Sequence, residues 1–217
     1  MPIWTGNGST NNWSDTSNWD TGVPSNSTPA IFNGSGSNGN KNCFITPSAI
    51  CSSIDLTGYQ GTISFDNSLE IRGSVTLATS VNFTGSQGLI LGAISSNSLL
   101  TSNGKWLDRP LTFRTNGTGG FSYSFTDNWR VTNLSTIFLG GNPVDIQGSG
   151  VCEVQGDFTI NQLTSGNGNF RLTGAGSLST SQVISARINI VSGSNTIAIQ
   201  NLALGGTAIL TYASGTV

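Results

Sequence analysis

The sequence predicts an all-β protein, specifically a parallel β-helix (β-solenoid) with a Trp-rich N-terminal cap. Gly, Ser, Thr and Asn supply 109 of the 217 residues, and these residues are poor helix formers that favour turns. Hydrophobic residues still make up 35% of the chain, too many for a disordered polymer. Short apolar alternations with a period of two recur between turns rich in Gly and Asn, which is typical of short β-strands.

Residues 1–42 differ from the remainder and are predicted to form the cap. Three of the five tryptophans lie here, among Asn, Ser and Gly, and a short apolar segment follows at 30–32. We expect the indole rings to shield the open end of a stacked sheet and to be buried near Phe32 and Phe44. A small loop-rich core of its own is the alternative. The three tryptophans are Trp4, Trp13 and Trp19.

Residues 43–217 are predicted to form the solenoid. Strands too short for long hairpins follow one another at brief intervals, and three strands per coil would give a coil of about 20–25 residues. Each strand would pair with its equivalent in the next coil, and inward side chains would stack in apolar ladders. A β-sandwich or jelly roll is the alternative fold. The predicted inward residues are Ile54, Ile63, Phe65, Ile71, Val75, Leu77 and Leu91.

Composition argues against several classes of function. The chain contains no His, so a His-based catalytic triad and a His-ligated metal are excluded. Eight Lys and Arg residues in a chain of net charge −2 give no basic surface for nucleic acid. No apolar run is long enough for a membrane-spanning helix, so we expect no membrane insertion.

The first residues, MPIWTG, have neither the basic nor the apolar segment of a signal peptide. We therefore expect a chain that stays in the cytoplasm where it is made, leaves by lysis, or has lost its leader. Three cysteines are an odd number, and with no leader they are expected to be free, buried thiols. A bridge between Cys43 and Cys51 stays open as an alternative.

The acidic residues do not define a catalytic pair. A glycosidase needs two carboxyl groups about 5–10 Å apart, and Asp145, Glu153 and Asp157 could converge on one face, as could Asp66 and Glu70. Turn-forming Asp residues are the simpler interpretation, so we expect a protein that is not an enzyme. A calcium site at Asp15 and Asp20 lacks the expected loop spacing, and we expect neither a metal nor a cofactor.

Aromatic residues outside the cap are candidates for stacking against sugars. They are Trp106, Tyr123, Trp129 and Tyr212. Trp129 lies in a polar turn with Asp127 before it and Arg130 after it, and an exposed Trp beside charged groups suits carbohydrate. Trp129, Arg130 and Asp127 are therefore the predicted glycan-stacking residues. A Trp that merely caps the edge of a coil is the alternative.

Three stretches resemble a known group of proteins. The opening WTGNG at 4–8, with the later Trp residues and AIF at 30–32, resembles the start of many predicted right-handed β-helix proteins, found among autotransporter-like adhesins and tailed-phage virion proteins. The run CSSIDLTGYQGTI at 51–63 looks like a recurrent run of the phage group. LTSNGK at 100–105, leading to PLTF at 110–113, is similar to a recurrent coil there. The resemblance covers roughly residues 3–115.

This resemblance implies a virion structural protein: a capsid decoration or head fibre, or a tail-associated fibre, with adhesion to surfaces or glycans. Expected partners are other capsid or tail proteins and a host surface glycan. Residues 210–217 are interpreted as an uncovered strand that runs to the chain end, which suggests pairing with other subunits or with the virion. Analogy with phage fibres suggests a homotrimer. The alternatives are a carbohydrate-binding or polysaccharide-degrading β-helix module and a secreted, extracellular bacterial adhesin fragment.

Overall fold

The computed structural model confirms the predicted fold class, because the chain is nearly all β and its strands stack in parallel as a β-solenoid. Every pairing between named strands is parallel, unlike the antiparallel pairing expected of the alternative sandwich or jelly roll. The structure describes residues 1–92, 97–115, 121–138, 144–160, 169–174, 176–180, 183–184, 187–191, 198–200, 203–204 and 209–213.

The strands are short, as the brief apolar alternations predict, and a 3₁₀ turn at Thr16–Asn18 is the one helical element among the described residues. The strands are β1 (Ala30–Ile31), β2 (Cys43–Phe44), β3 (Ala49–Cys51), β4 (Ile54–Asp55), β5 (Thr62–Phe65), β6 (Leu69–Ile71), β7 (Val75–Thr76), β8 (Asn82–Gly85), β9 (Leu89–Leu91), β10 (Ser98–Thr101), β11 (Leu111–Thr115), β12 (Phe121–Phe125), β13 (Trp129–Val131), β14 (Leu134–Phe138), β15 (Val144–Gly148), β16 (Val151–Val154), β17 (Phe158–Ile160), β18 (Asn169–Leu172), β19 (Ser177–Thr180), β20 (Val183–Ile184), β21 (Arg187–Val191), β22 (Ala198–Gln200), β23 (Ala203–Leu204) and β24 (Ile209–Ala213).

Four sheets form the three faces of the solenoid. The first face runs β1-β4-β7-β10-β12-β15, and the second runs β3-β6-β9-β11-β14-β17-β19-β22. The third face begins as β2-β5-β8 and resumes as β13-β16-β18-β21-β24. Between its two parts lies the irregular segment 105–109, whose Arg109 donates from Nη2 to the Phe83 carbonyl at 2.9 Å. On the other side, the Leu107 amide donates to the Arg130 carbonyl at 3.0 Å. β20 and β23 form a separate two-stranded sheet.

Equivalent residues recur at nearly constant intervals. Partners in adjacent strands are 20 residues apart from Ala49 to Leu69 and from Leu69 to Leu89, and 25 apart from Leu100 to Phe125. The shortest interval is 18, from Phe170 to Ile188, slightly below the predicted coil length. Such regular pairing stacks equivalent side chains in columns. All seven predicted inward residues are buried, at 3% exposure or less.

Asn and Asp side chains tie consecutive coils together at the corners. The Asn133 Oδ1 accepts a hydrogen bond from the Asp157 amide at 2.8 Å, and the Asp157 Oδ1 accepts from the Ser177 amide at 2.9 Å. The Ser177 amide and hydroxyl lower the pKa of Asp157, because both stabilise its charged form. Corner amides that no strand ladder uses are thereby satisfied, which gives the abundance of Asn a structural reason.

The N-terminal tryptophans form the predicted cap. Trp4, Trp13 and Trp19 expose 4% or less of their surface, and the Phe32 ring lies 5.4 Å from the rings of Trp4 and Trp19 and 6.0 Å from that of Trp13. The Trp13 amide donates to the Phe44 carbonyl at 2.9 Å. The rings belong to the same hydrophobic cluster as the solenoid core, and β1, inside the predicted cap segment, already pairs with β4.

All three cysteines are free and buried. Cys43 and Cys51 are therefore not bridged in this structure, which agrees with the expected free thiols. Burial raises the pKa of the Cys43, Cys51 and Cys152 thiols, because a thiolate is poorly solvated in an apolar interior. Each thiol serves as a small apolar filler of the core.

Candidate functional site

Trp129 is a core residue, and the prediction that it forms an exposed sugar platform is wrong. It is the first residue of β13 and pairs in register with Cys152, and both side chains point inward at 1% and 0% exposure. The Trp129 Nε1 donates to the Leu100 carbonyl at 3.2 Å. The indole therefore fills the interior of a coil, and its polar sequence neighbours did not reveal this.

Asp127 has a structural role at a corner instead of the predicted role at a glycan site. Its Oδ1 accepts from the Ser102 amide at 2.7 Å and its Oδ2 from the Asn103 amide at 2.6 Å. Both amides belong to the preceding coil, so the carboxylate joins two coils in the same way as the other corner Asn and Asp residues. Each of its two oxygens therefore already accepts one backbone hydrogen bond.

Arg130, the third predicted residue, does lie at an exposed aromatic ring, and that ring is Trp106. The Arg130 Cζ is 3.3 Å from the centroid of the Trp106 ring, while Trp106 remains 48% exposed. The Asp108 carboxylate accepts from the Arg130 Nε at 2.9 Å and from Nη2 at 3.2 Å. A bidentate pair of this kind fixes the plane of the guanidinium group. We call Trp106, Asp108 and Arg130 the Trp106 platform.

The irregular segment 105–109 explains why Trp106 points outward. It occupies the place of a strand on the third face, but Asp108 has a φ of 49°, a left-handed conformation that few non-glycine residues adopt. The amides of Leu107 and Asp108 both donate to the Arg130 carbonyl, at 3.0 and 3.3 Å. Leu107 is fully buried. The segment therefore places the Leu107 side chain in the core and leaves its neighbour Trp106 on the surface.

Charges beside the platform alternate in sign. Arg130 pairs in register with Glu153, and Glu153 with Arg171, on consecutive strands of the third face. The Arg171 Nη1 lies 3.2 Å from the Glu153 Oε1. Opposite charges placed one coil apart attract each other, whereas like charges at that spacing would repel. Along this part of the third face the charges of Arg130, Glu153 and Arg171 therefore alternate in sign, so the surface beside the Trp106 platform is polar.

The acidic residues weighed for catalysis are divided among different parts of the solenoid. Asp145 lies on β15 of the first face, Glu153 on β16 of the third face, and Asp157 in the turn before β17. Burial raises the pKa of Asp145, which contacts the Gln147 side chain. Glu70 forms ion pairs with Arg72, at 3.1 Å, and with Arg114. These partners give the carboxylates structural roles in place of the convergence on one face that was considered for catalysis.

The two carboxylates considered for calcium bind the cap's own backbone. Asp15 accepts from the Thr10 hydroxyl at 2.9 Å and the Ser17 amide at 3.0 Å, and these bonds lower its pKa. Asp20 accepts from the Ile3 amide at 2.7 Å. Within the described residues, no group of three or more Cys, Asp or Glu side chains is arranged to hold a metal ion.

A shallow groove lies along the corner that precedes the third face. It has a volume of about 300 Å³, and we call it the corner groove. Leu77 and Ala78 are its buried lining residues, whereas Thr79 and Ser80 are exposed. No local sequence pattern indicates this groove, because it forms only when turns of three consecutive coils stack. Its lining residues are Thr57, Gly58, Leu77, Ala78, Thr79, Ser80 and Asn103.

Among the described residues, no helix has the length and apolar character needed to cross a bilayer. No protein family model matches the chain, and no curated protein or solved structure shows significant similarity to it.

Proposed function

We propose that the protein is a non-enzymatic structural component of a tailed-phage virion, either a capsid decoration or head fibre, or a tail-associated fibre. The observation that carries this proposal is the continuous stack of parallel sheets whose first coil is sealed by the Trp-rich cap. Stacked coils of this kind form a rigid body that can display its turns to the outside. The sequence resemblance over residues 3–115 points to the same setting.

Two further features support the proposal. The buried, unbridged cysteines suit a protein that folds and assembles in the reducing cytoplasm of a host cell. The acidic residues weighed for catalysis are engaged in corners and ion pairs, which favours a scaffold over an enzyme. The proposed partners are other capsid or tail proteins and further copies of the chain, with a homotrimer as the model to test.

The experiment is to locate the chain in particles. Virions purified by density gradient from a lysate of the producing strain would be examined by mass spectrometry and by immunogold labelling with an antibody against the full chain. We expect a fixed copy number relative to the major capsid protein, and gold particles on either the head or the tail. Particles that contain the capsid protein but not this chain would refute the proposal.

A carbohydrate-binding module is the second candidate function, because one specific observation favours it. Trp106 is a large aromatic ring that is half exposed and held in place by Arg130. Exposed and pre-positioned aromatic rings suit the apolar faces of sugars. This function is compatible with a place in the virion, where it would supply adhesion to a host surface glycan.

A further inference from the structure

We infer that the Trp106 platform and the corner groove together bind one neutral oligosaccharide built of pyranose rings. This inference rests on the adhesive, carbohydrate-binding part of the proposed function, and it specifies the site and the class of ligand. Two independent observations support it: an exposed, immobilised aromatic ring and a neighbouring groove with an apolar base and a hydroxyl-rich rim.

The platform supplies an apolar surface that is already ordered. The other four tryptophans of the chain are at most 4% exposed, whereas Trp106 is 48% exposed. Arg130 lies 3.3 Å from the ring centroid and covers one face, and Asp108 holds Arg130 through two hydrogen bonds. Because the ring is fixed before the ligand arrives, little side-chain entropy is lost on binding.

The corner groove matches the amphipathic character of a sugar ring. Leu77 and Ala78 give it an apolar base, at 1% and 7% exposure. Thr57 and Thr79 place hydroxyl groups around it, whereas the Ser80 hydroxyl donates to the Tyr59 carbonyl at 2.7 Å. A pyranose has C–H groups on its faces, which suit the apolar base of the groove. It has hydroxyl groups on its rim, which suit the hydroxyl groups around the groove. The groove volume of about 300 Å³ lies at the lower end of the range for small-molecule sites.

The two halves are close enough for one short glycan. Asn103 lines the groove, and Trp106 follows three residues later in the same turn, so their Cα atoms are at most about 11 Å apart. Along the stack, Thr57 and Thr79 lie in the two coils before the turn that holds Trp106, and Arg130 lies in the coil after it. Trp106 therefore lies between the groove and Arg130, and a chain of two or three rings would run along the corner.

Local charge favours a neutral ligand. None of the residues that line the groove carries a charged side chain, and the charge of Arg130 is matched by Asp108. Lys105 and Arg109 are the other cations of the segment that holds Trp106, and Arg109 is turned to the Phe83 carbonyl. An acidic sugar would need an unpaired cation, and an amino sugar an unpaired anion. Hydroxyl groups need neither, so the uncharged groove favours neutral rings over sialylated and uronic-acid glycans.

The test uses the full chain on a printed array of neutral and acidic oligosaccharides. Trp106→Ala removes the platform, and Thr79→Arg fills the groove from an exposed position. Leu99→Ala is the matched control, because Leu99 is a large hydrophobic side chain that is as exposed as Trp106, at 51%, but lies on β10 outside the proposed site. We expect the parent and the control to bind neutral oligosaccharides, and each site variant to lose at least tenfold in affinity while keeping the parent's urea midpoint.

A fluorescence measurement locates the ligand independently. Acrylamide should quench mainly Trp106, and saturation with the best neutral oligosaccharide from the array should protect it. Absence of neutral binders, a preference for acidic glycans, or unchanged binding by Trp106→Ala would each overturn the inference. Virion incorporation is scored separately: a chain found in particles that binds no glycan overturns this inference alone, whereas a glycan-binding chain absent from particles overturns the proposed virion role.

Discussion

Replacing Asn18 with Ala tests whether the Trp-rich cap and the solenoid unfold together. Asn18 is fully buried. Its Nδ2 donates to the carbonyls of Thr10 and Asn12 at 2.9 and 3.0 Å, and its Oδ1 accepts from the Gly8 amide at 2.8 Å. One side chain thus holds the loop 8–12 in place over the indole cluster.

The expected cost follows from those three hydrogen bonds. Each contributes about 1 kcal/mol net, so the substitution should lower the free energy of unfolding by about 3 kcal/mol. For a chain of this size, that corresponds to a decrease of about 6–12 °C in Tm. Asn26→Ala is the control, because Asn26 is exposed in a turn and its replacement should change stability by less than about 0.5 kcal/mol.

Urea unfolding followed by two probes gives the readout. Tryptophan fluorescence reports mainly on the cap, which holds three of the five indoles, and far-ultraviolet circular dichroism reports on the sheets. If cap and solenoid form one cooperative unit, both transitions shift to the same lower midpoint. A shift in fluorescence alone would show that the cap unfolds separately, and equal midpoints for Asn18→Ala and Asn26→Ala would refute the role assigned to Asn18.

Three further predictions concern the core, the corners and the thiols. Trp129→Ala should reduce the free energy of unfolding by about 3–5 kcal/mol, measured in urea; a change near zero would contradict the buried position. The pKa of Asp157, measured by NMR titration, should lie below 3.8. Because folding lowers this pKa, its stabilising contribution is present above the unfolded-state value and is lost as pH falls through the folded-state value; an unshifted pKa in the folded chain would contradict the Ser177 hydrogen bonds. The three cysteines should resist iodoacetamide in the folded chain and react fully in urea, because burial raises their pKa; rapid labelling of the folded chain would contradict their burial.

The fold could be predicted from the sequence because the relevant signals are local. Period-two alternation in segments such as 62–65 and 69–71 marks strands, and their short length with regular turns favours coils over hairpins. The cap could be predicted for the same reason, since three indoles among turn residues must be covered. These inferences need no knowledge of which distant residues pair.

The candidate site could not be predicted in the same way. Its geometry depends on which residues of adjacent coils pair, and a single sequence does not contain that information. Trp129 follows two polar residues, yet those residues face a corner while Trp129 pairs with Cys152 and points inward. Trp106 follows a comparable polar turn and points outward, while its neighbour Leu107 is the residue that enters the core. Local polarity therefore does not separate a buried Trp from an exposed one in a solenoid, where polar corner residues satisfy backbone amides of the adjacent coil.

The near-constant interval between paired strands has a consequence for the order in which the chain folds. Every strand pairs with a partner between 18 and 25 residues away, from the start of the stack to its last described strand. The entropy of closing each loop is therefore about the same at every step. A chain emerging from the ribosome can add one coil at a time to a finished one. The indole cluster precedes the later coils in the chain, so it would act as the nucleus on which those coils fold one after another.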